Sequence, residues 1–383
     1  MTPAFAKASA SAEAPADKPA GRPLRIGVDA RELLGDATGV GRYLGELLRR
    51  WASRPDASAR RFLLYAPEPL PLALPPGATE LRITGRGRGT WWEQTYLRSA
   101  IHGDRPDVFF APAYTAPLGT EVPLAVTIHD ISFVAHPEWF RAGEGARRRW
   151  LTRRAAHKAS IIFTDSEFSR REIESYLRVD PSRLRVIPPG VTPRASPAAN
   201  NERDPLVLYV GSIFNRRRIP ELIAAFAQAT RDMPQARLAI VGDDRTWPKQ
   251  DLPDAAHQHG VAGRTEFMRY VSDEVLAGLY RRARVFAFLS EYEGFGLTPL
   301  EALAAGVPVV LLDTPVAREV CGDAAVFVRR DDPAAAAAAI RRFLTEPASA
   351  QPLLARAGDV LARYSWQHAA DQTLAEIERI ARR

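Results

Sequence analysis

The stretch from Ser290 to Pro308, SEYEGFGLTPLEALAAGVP, limits the possible folds more than any other, because its periodicity switches from strand to helix within one short run. It follows the continuous apolar segment Val285–Leu289, which has the pattern of a buried strand. Gly294 and Gly296 bracket Phe295, so the backbone there can take dihedrals closed to other residues and can approach a ligand closely. Thr298 is then expected as an N-cap, Pro299 as the first helical residue and Glu301 as the third, a Thr-x-x-Glu capping box, with Gly306 and Pro308 ending the helix. A strand, a tight turn and a helix in that order form the repeat of a parallel α/β sheet, and the free N–H groups at such a helix start suit an anion. Glu293 and Glu301 flank that anion site. Glu293 lies in the loop and has no capping role. Glu301 either closes the capping box or binds a ligand hydroxyl, and local spacing leaves both readings open.

The same alternation runs through the chain twice. Leu24–Asp29 is a strand, Leu34–Gly41 a glycine loop and Arg42–Trp51 a helix, the opening of a Rossmann-like unit. Leu44 stands where a dinucleotide fingerprint needs its third glycine, so a nicotinamide cofactor is not expected. Further strands are expected at Arg61–Ala66, Asp107–Phe110, Leu124–Ile128 and Ile161–Asp165, and Arg185–Ile187 leads into Pro188-Pro-Gly-Val191. After the Pro-, Ala- and Asn-rich linker Thr192–Asp204, the pattern restarts with strand Leu206–Val210, loop Gly211–Arg218 and helix Pro220–Ala229. At 383 residues the chain is long for a single core. Two domains are therefore expected, at 24–195 and 196–365, with the final segment 366–383 returning to the first and 1–23 forming a disordered tail without the apolar core of a signal peptide.

Composition enters through charge. Residues 21–195 carry 27 Lys and Arg against 19 Asp and Glu, whereas 196–383 carry 23 against 24, so the net positive charge belongs to the first half. Seven cations fall between Arg141 and Lys158 around a thin apolar stripe of Trp150, Leu151 and Ala155, and Trp91 and Trp92 follow Arg86 and Arg88. Cations beside aromatic rings suit an anionic membrane surface, while a solvated face and ordinary core packing are the plainer readings. Interleaved stacking aromatics are too few for nucleic acid. No apolar run is long enough to span a bilayer, and the lone Cys321 rules out an internal disulfide, which together suggest a cytoplasmic protein.

Three further groups suggest chemistry. His129 and Asp130 end the strand Leu124–Ile128, where a parallel sheet receives its ligands. Arg216, Arg217 and Arg218 follow the strand Leu206–Val210, and guanidinium forks there suit diphosphate oxygens. Asp243 and Asp244 are adjacent but lack a separated third ligand, so no metal site is expected.

Together these residues resemble the retaining glycosyltransferases of family 4, which have the GT-B fold and an E-x7-E signature that Glu293 and Glu301 match in spacing. The resemblance covers roughly residues 24–381 and implies two Rossmann-like doubly wound domains facing a cleft, with helix Trp366–Ile380 crossing back to the first. It implies that Glu293 contacts the donor sugar, Glu301 the ribose, His129 with Asp130 the donor sugar from the family's cleft position, and Arg216 and Arg217 the diphosphate. The usual residue at the position of Arg217 is Lys. Gly39 and Gly41 of the TGVGRY string would lie near the donor phosphates and acceptor, Gly211 and Gly294, Phe295, Gly296 and Leu297 at the donor, and Tyr270 and Val271 at the base. The implied donor is a nucleotide diphosphate sugar carrying GDP or UDP, with no cofactor and no metal. TGVGRY and Trp91-Trp92-Glu93-Gln94 resemble mannosyltransferases of surface-polysaccharide assembly, so GDP-mannose and a lipid-linked or polysaccharide acceptor are expected first. The substitution at Arg217 also allows a nucleotide-sugar-binding scaffold with impaired catalysis.

Overall fold

The computed structural model describes residues 22–35, 39–72, 74, 77–195 and 203–382. The expected tail up to Gly21 and residues 196–202 of the expected linker lie outside the described residues.

Two all-parallel sheets carry the chain. The first contains β1 (Leu24–Asp29), β2 (Arg60–Ala66), β3 (Thr79–Ile83), β4 (Val108–Ala111), β5 (Leu124–Thr127), β6 (Ile161–Thr164) and β7 (Leu184–Val186), in the order β3-β2-β1-β4-β5-β6-β7. The second contains β8 (Leu206–Val210), β9 (Arg237–Val241), β10 (Thr265–Met268), β11 (Val285–Phe288), β12 (Val309–Leu312) and β13 (Ala325–Val328), in the order β10-β9-β8-β11-β12-β13. In each sheet the order reverses beside the first strand, between β1 and β4 and between β8 and β11. That reversal opens a crevice at the carboxyl ends of the strands. Strands β4, β5, β6, β11 and β12 are buried at every position, which is why they read as unbroken apolar runs. Edge strand β3 was not expected: its residues alternate between half-buried and exposed, and Leu81 and Ile83 face outward, so it shows no apolar run.

The glycine loop after β1 ends earlier than its sequence suggests. Gly39, Val40 and Gly41 already belong to the helix Gly39–Ala52, and the Gly41 backbone is buried inside it. The last helix, Trp366–Ala381, returns to the first sheet and buries Trp366, Ala369, Ala370, Leu374 and Ile377 in that core. Trp51 anchors the contact, stacking on Phe62 at 5.5 Å and donating its indole N–H to the Ala370 carbonyl at 2.8 Å. Each large apolar side chain buried this way contributes roughly 1.5–3 kcal/mol.

The expected stripe on the basic helix is corrected. In Ala142–Lys158, Leu151 and Ala155 are buried but Trp150 is exposed, and the cations are dispersed. Arg148 packs over Tyr114 at 4.7 Å and Phe133 at 4.9 Å, and Arg149 donates to the Phe133 carbonyl at 3.3 Å. The paired tryptophans also part: Trp92 is buried and donates to the Thr84 carbonyl at 2.6 Å, whereas Trp91 is 73% exposed. Cys321 is buried, and burial pushes its thiol up to about 12.

Beneath the first crevice lies a buried polar cluster. Arg31 bridges Asp29 at 3.2 Å and Glu93, and the Thr115 hydroxyl donates to Glu93 at 2.6 Å. Burial pushes the Asp29 carboxyl up to about 7; Arg31 opposes that shift and Glu93 reinforces it. Such a group favours the folded state while protonated, so its stabilisation is complete below the unfolded value near 3.8 and is lost as pH rises towards 7. Thermal unfolding between pH 4 and 7 should show the wild type losing stability relative to Asp29→Asn, by on the order of a few kcal/mol across the window. Parallel curves for the two proteins would refute the shift.

Candidate functional site

The two crevices face each other and enclose a cleft of about 480 Å³. From the first domain it is lined by Gly39, Tyr43, Tyr114, His129, Asp130 and Arg148, and from the second by Gly211, Arg216, Arg217 and the turn Glu293–Leu297.

The turn is where the sequence expectation needs its main correction. The helix runs Leu297–Ala304 with Gly296 as its N-cap, at φ 97°, so Thr298 lies inside the helix and no capping box forms. Glycine suits this start because a left-handed φ costs it little. The helix does close as expected: the Gly306 and Val307 N–H groups return to the carbonyls of Leu303 and Ala302 at 2.9 Å each. Glu301, freed from capping, is buried against three donors: Arg42 of the first domain, Arg194 at 3.1 Å and the Tyr280 hydroxyl at 3.2 Å. Burial raises its pKa, and Arg194 and Tyr280 oppose the rise.

Glu293 pairs with Arg217 and accepts the Ser290 hydroxyl. Arg217 lies over the Phe288 ring at 4.8 Å, and burial with Arg216 nearby lowers its pKa to about 10, which keeps it cationic at neutral pH. Arg216 stacks on Phe214 at 4.4 Å and faces Asp130 across the cleft. Arg218 turns away to Glu221 at 3.0 Å. Burial alone would raise the Asp130 pKa, yet Arg216, the Ser132 N–H and hydroxyl, and Arg148 together hold it below the usual carboxylate range.

His129 shows a geometry that its sequence did not announce. Its Nδ1 lies 2.8 Å from an Asp165 carboxylate oxygen and its Nε2 3.0 Å from the Pro112 carbonyl. Both partners are acceptors, a setting that favours the doubly protonated ring, in which both nitrogens donate. Burial would lower its pKa, but Asp165, the Pro112 carbonyl and Asp130 together outweigh burial and the net shift is upward. Neither nitrogen is free for a sugar hydroxyl in this state.

The domains meet at the turn itself. The Ser166 and Ser169 hydroxyls of the first domain donate to the Gly294 carbonyl at 2.6 and 3.1 Å, and Ser169 is also 3.1 Å from the His129 carbonyl. Glu319 of the second domain accepts the N–H groups of Glu167 and Phe168 at 2.6 and 2.9 Å, completing the start of helix Glu167–Leu177. Tyr292 packs against Phe168 at 5.4 Å.

Of the residues expected in the site, Gly39, His129, Asp130, Gly211, Arg216, Arg217, Glu293, Gly294, Phe295, Gly296 and Leu297 line the one cleft. Gly41 is inside its helix, Glu301 sits behind the helix start, and Tyr270, 65% exposed, lies with Val271 on the loop after β10, outside the cleft lining. Sequence reasoning missed Asp165, Arg42 and Arg194. Asp165 could have been suspected from its place at the carboxyl end of β6, beside His129; the other two carry no local signal. Among the described residues no group of three or more His, Cys, Asp or Glu could hold a metal ion, and no helix is long and apolar enough to cross a membrane.

Two doubly wound domains facing a cleft at the carboxyl edges of both sheets define the GT-B fold. The first of these domains matches the family described as Glycosyltransferase Family 4 over residues 37–195, and the second matches Glycosyl transferases group 1 over 194–358. The GDP-mannose:cellobiosyl-diphosphopolyprenol alpha-mannosyltransferase of Xanthomonas campestris is 33% identical over 283 residues, 71% of this chain and 72% of that protein. The O-antigen chain mannosyltransferase B of Escherichia coli is 28% identical over 259 residues, 65% of this chain and 68% of that protein. The sucrose-phosphate synthase of Thermosynechococcus elongatus superposes with a TM-score of 0.72 at 21% identity, covering 93% of this chain and 98% of that one. The chain belongs to the group 1, family 4 glycosyltransferases.

Proposed function

We propose that the chain transfers a hexose, mannose first, from a GDP- or UDP-linked donor to a lipid-linked or polysaccharide acceptor, with retention of configuration. The observation that carries this reading is the pairing of Glu293 with Arg217 at the mouth of a helix, opposite the His129–Asp130 wall. The relatives named as mannosyltransferases, one of them acting with GDP-mannose on a diphosphopolyprenol, support the choice of sugar and acceptor.

The barrier in such a reaction is charge separation as the nucleoside diphosphate leaves. Arg216, Arg217 and the N–H groups at the start of helix Leu297–Ala304 stabilise the developing anion. Arg217 turns to the phosphates, which releases Glu293 to orient the sugar hydroxyls. Glu301 holds the ribose. The departing phosphate oxygen takes the acceptor's proton on the same face, so no enzyme nucleophile, metal ion or cofactor enters the step. This differs from glycoside hydrolysis, in which paired carboxylates act as acid and base. A cytoplasmic site against the inner face of the membrane completes the reading, with the basic first domain and the exposed Trp91 turned to an anionic lipid surface and no part for nucleic acid.

Calorimetry with GDP- and UDP-sugars, run beside transfer and donor-hydrolysis assays, tests it. GDP-mannose should bind and turn over, and the anomeric configuration of the product should match that of the donor. Binding without turnover would indicate a nucleotide-sugar scaffold instead, and neither with any donor would remove the reading.

A further inference from the structure

Glu301 ties three parts of the molecule together. Its Oε1 accepts Arg42, from the first helix of the first domain, and Arg194, from the segment joining the domains; its Oε2 accepts Tyr280, from the second domain. A carboxylate offers about four acceptor sites, and three are filled. A ribose presents two vicinal hydroxyls and asks for two. One donor must leave for both to bind.

The three do not leave at equal cost. Tyr280 is fully buried, and its hydroxyl would be stranded away from water. The Arg194 side chain is only 11% exposed and is also held by Asp273 at 2.5 Å. The Arg42 side chain is 25% exposed and sits across the domain boundary, so its charge can return to solvent when the pair opens. It is the donor most easily exchanged.

We propose that Arg42 is an exchangeable interdomain tie: it holds Glu301 in the empty protein and gives way to the ribose hydroxyls when donor enters, so that it sets donor affinity. The inference rests on the reading of Glu301 as the ribose ligand. Breaking the tie is then subtracted from the binding free energy, and removing Arg42 in advance relieves that cost.

The experiment is calorimetry of GDP and UDP and of their 2′,3′-dideoxy counterparts with wild type, Arg42→Gln, Arg42→Lys and Glu301→Gln. Arg42→Gln should bind the ribonucleoside diphosphate about five-fold more tightly, near the low end of coupling between sites, and should leave the dideoxy form unchanged. Arg42→Lys, which keeps the charge without the fork, should fall between wild type and Arg42→Gln. If wild type prefers ribose and Glu301→Gln abolishes that preference, yet Arg42→Gln binds no more tightly, the tie is refuted and the ribose reading stands. If wild type does not distinguish the two sugars and Glu301→Gln changes neither affinity, the ribose reading fails and takes the tie with it.

Discussion

Glu293→Ala is expected to lower turnover by about 10²–10³-fold, or roughly 3–4 kcal/mol of transition-state stabilisation, in a protein that stays folded and still binds nucleotide. The residue lies in the loop between β11 and helix Leu297–Ala304, outside both cores, so its loss removes no apolar packing. What it removes is the partner of Arg217 and an acceptor for the Ser290 hydroxyl. The Arg217 side chain is only 11% exposed, and a guanidinium so nearly buried that loses its carboxylate either moves or draws in water. The variant therefore strikes both the sugar and the phosphate side of the reaction. Glu293→Gln separates the two: it keeps the shape and a carbonyl acceptor for Ser290 while removing the charge. If orientation of the sugar is the main role, Gln should recover part of the loss; if pairing with Arg217 is, Gln should resemble Ala. Circular dichroism and nucleotide binding check the fold. Wild-type turnover in a folded Glu293→Ala protein would remove Glu293 from the reaction.

Strands β4, β5, β6 and β11 were legible because strands covered on both faces must be apolar at every position. Strand β3 escaped because an edge strand half open to water needs no such run. The helix after Gly296 was found, but its start was placed too late. Thr298 and Glu301 satisfy the local grammar of a capping box, and only the tertiary partners of Glu301 overrule it. Arg42 is 259 residues from Glu301 and Arg194 is 107 residues away, separations at which no periodicity or spacing carries information. His129 was legible as a cleft residue through its place at the end of β5, while its hydrogen bonding depends on Asp165 at the end of β6 and on the Pro112 carbonyl. Residues that a sheet edge presents were therefore foreseeable. The pairings made when two such edges face each other were not.

Gly294→Ala tests that facing directly, and it should cost turnover about 100-fold, the penalty that a misplacement of about 1 Å brings at a reacting centre. A Cβ built on Gly294 would overlap the His129 carbonyl oxygen and lie 2.8 Å from its carbon and 3.1 Å from the Asp130 Cβ. The nearest atoms are backbone, so no side-chain rotation relieves the overlap. Either the turn retreats from the first domain or the domains part, and both outcomes break the Ser166 and Ser169 hydrogen bonds to the Gly294 carbonyl. Glu293 moves with the turn, since it is the adjacent residue. Nucleotide affinity should change much less, because the expected diphosphate and ribose partners, Arg216, Arg217 and Glu301, lie in the second domain, whose core is its own. Thermal stability should likewise fall little. Gly358→Ala is the control: a Cβ there meets nothing within 4 Å among the described residues, and Gly358 lies in the helix Gln351–Leu361, outside the cleft lining, so its turnover should stay near wild type. The two substitutions add the same methyl group, one where the domains touch and one on an open helix surface. Equal turnover in both would mean that the close approach of Gly294 to His129 has no part in the reacting state.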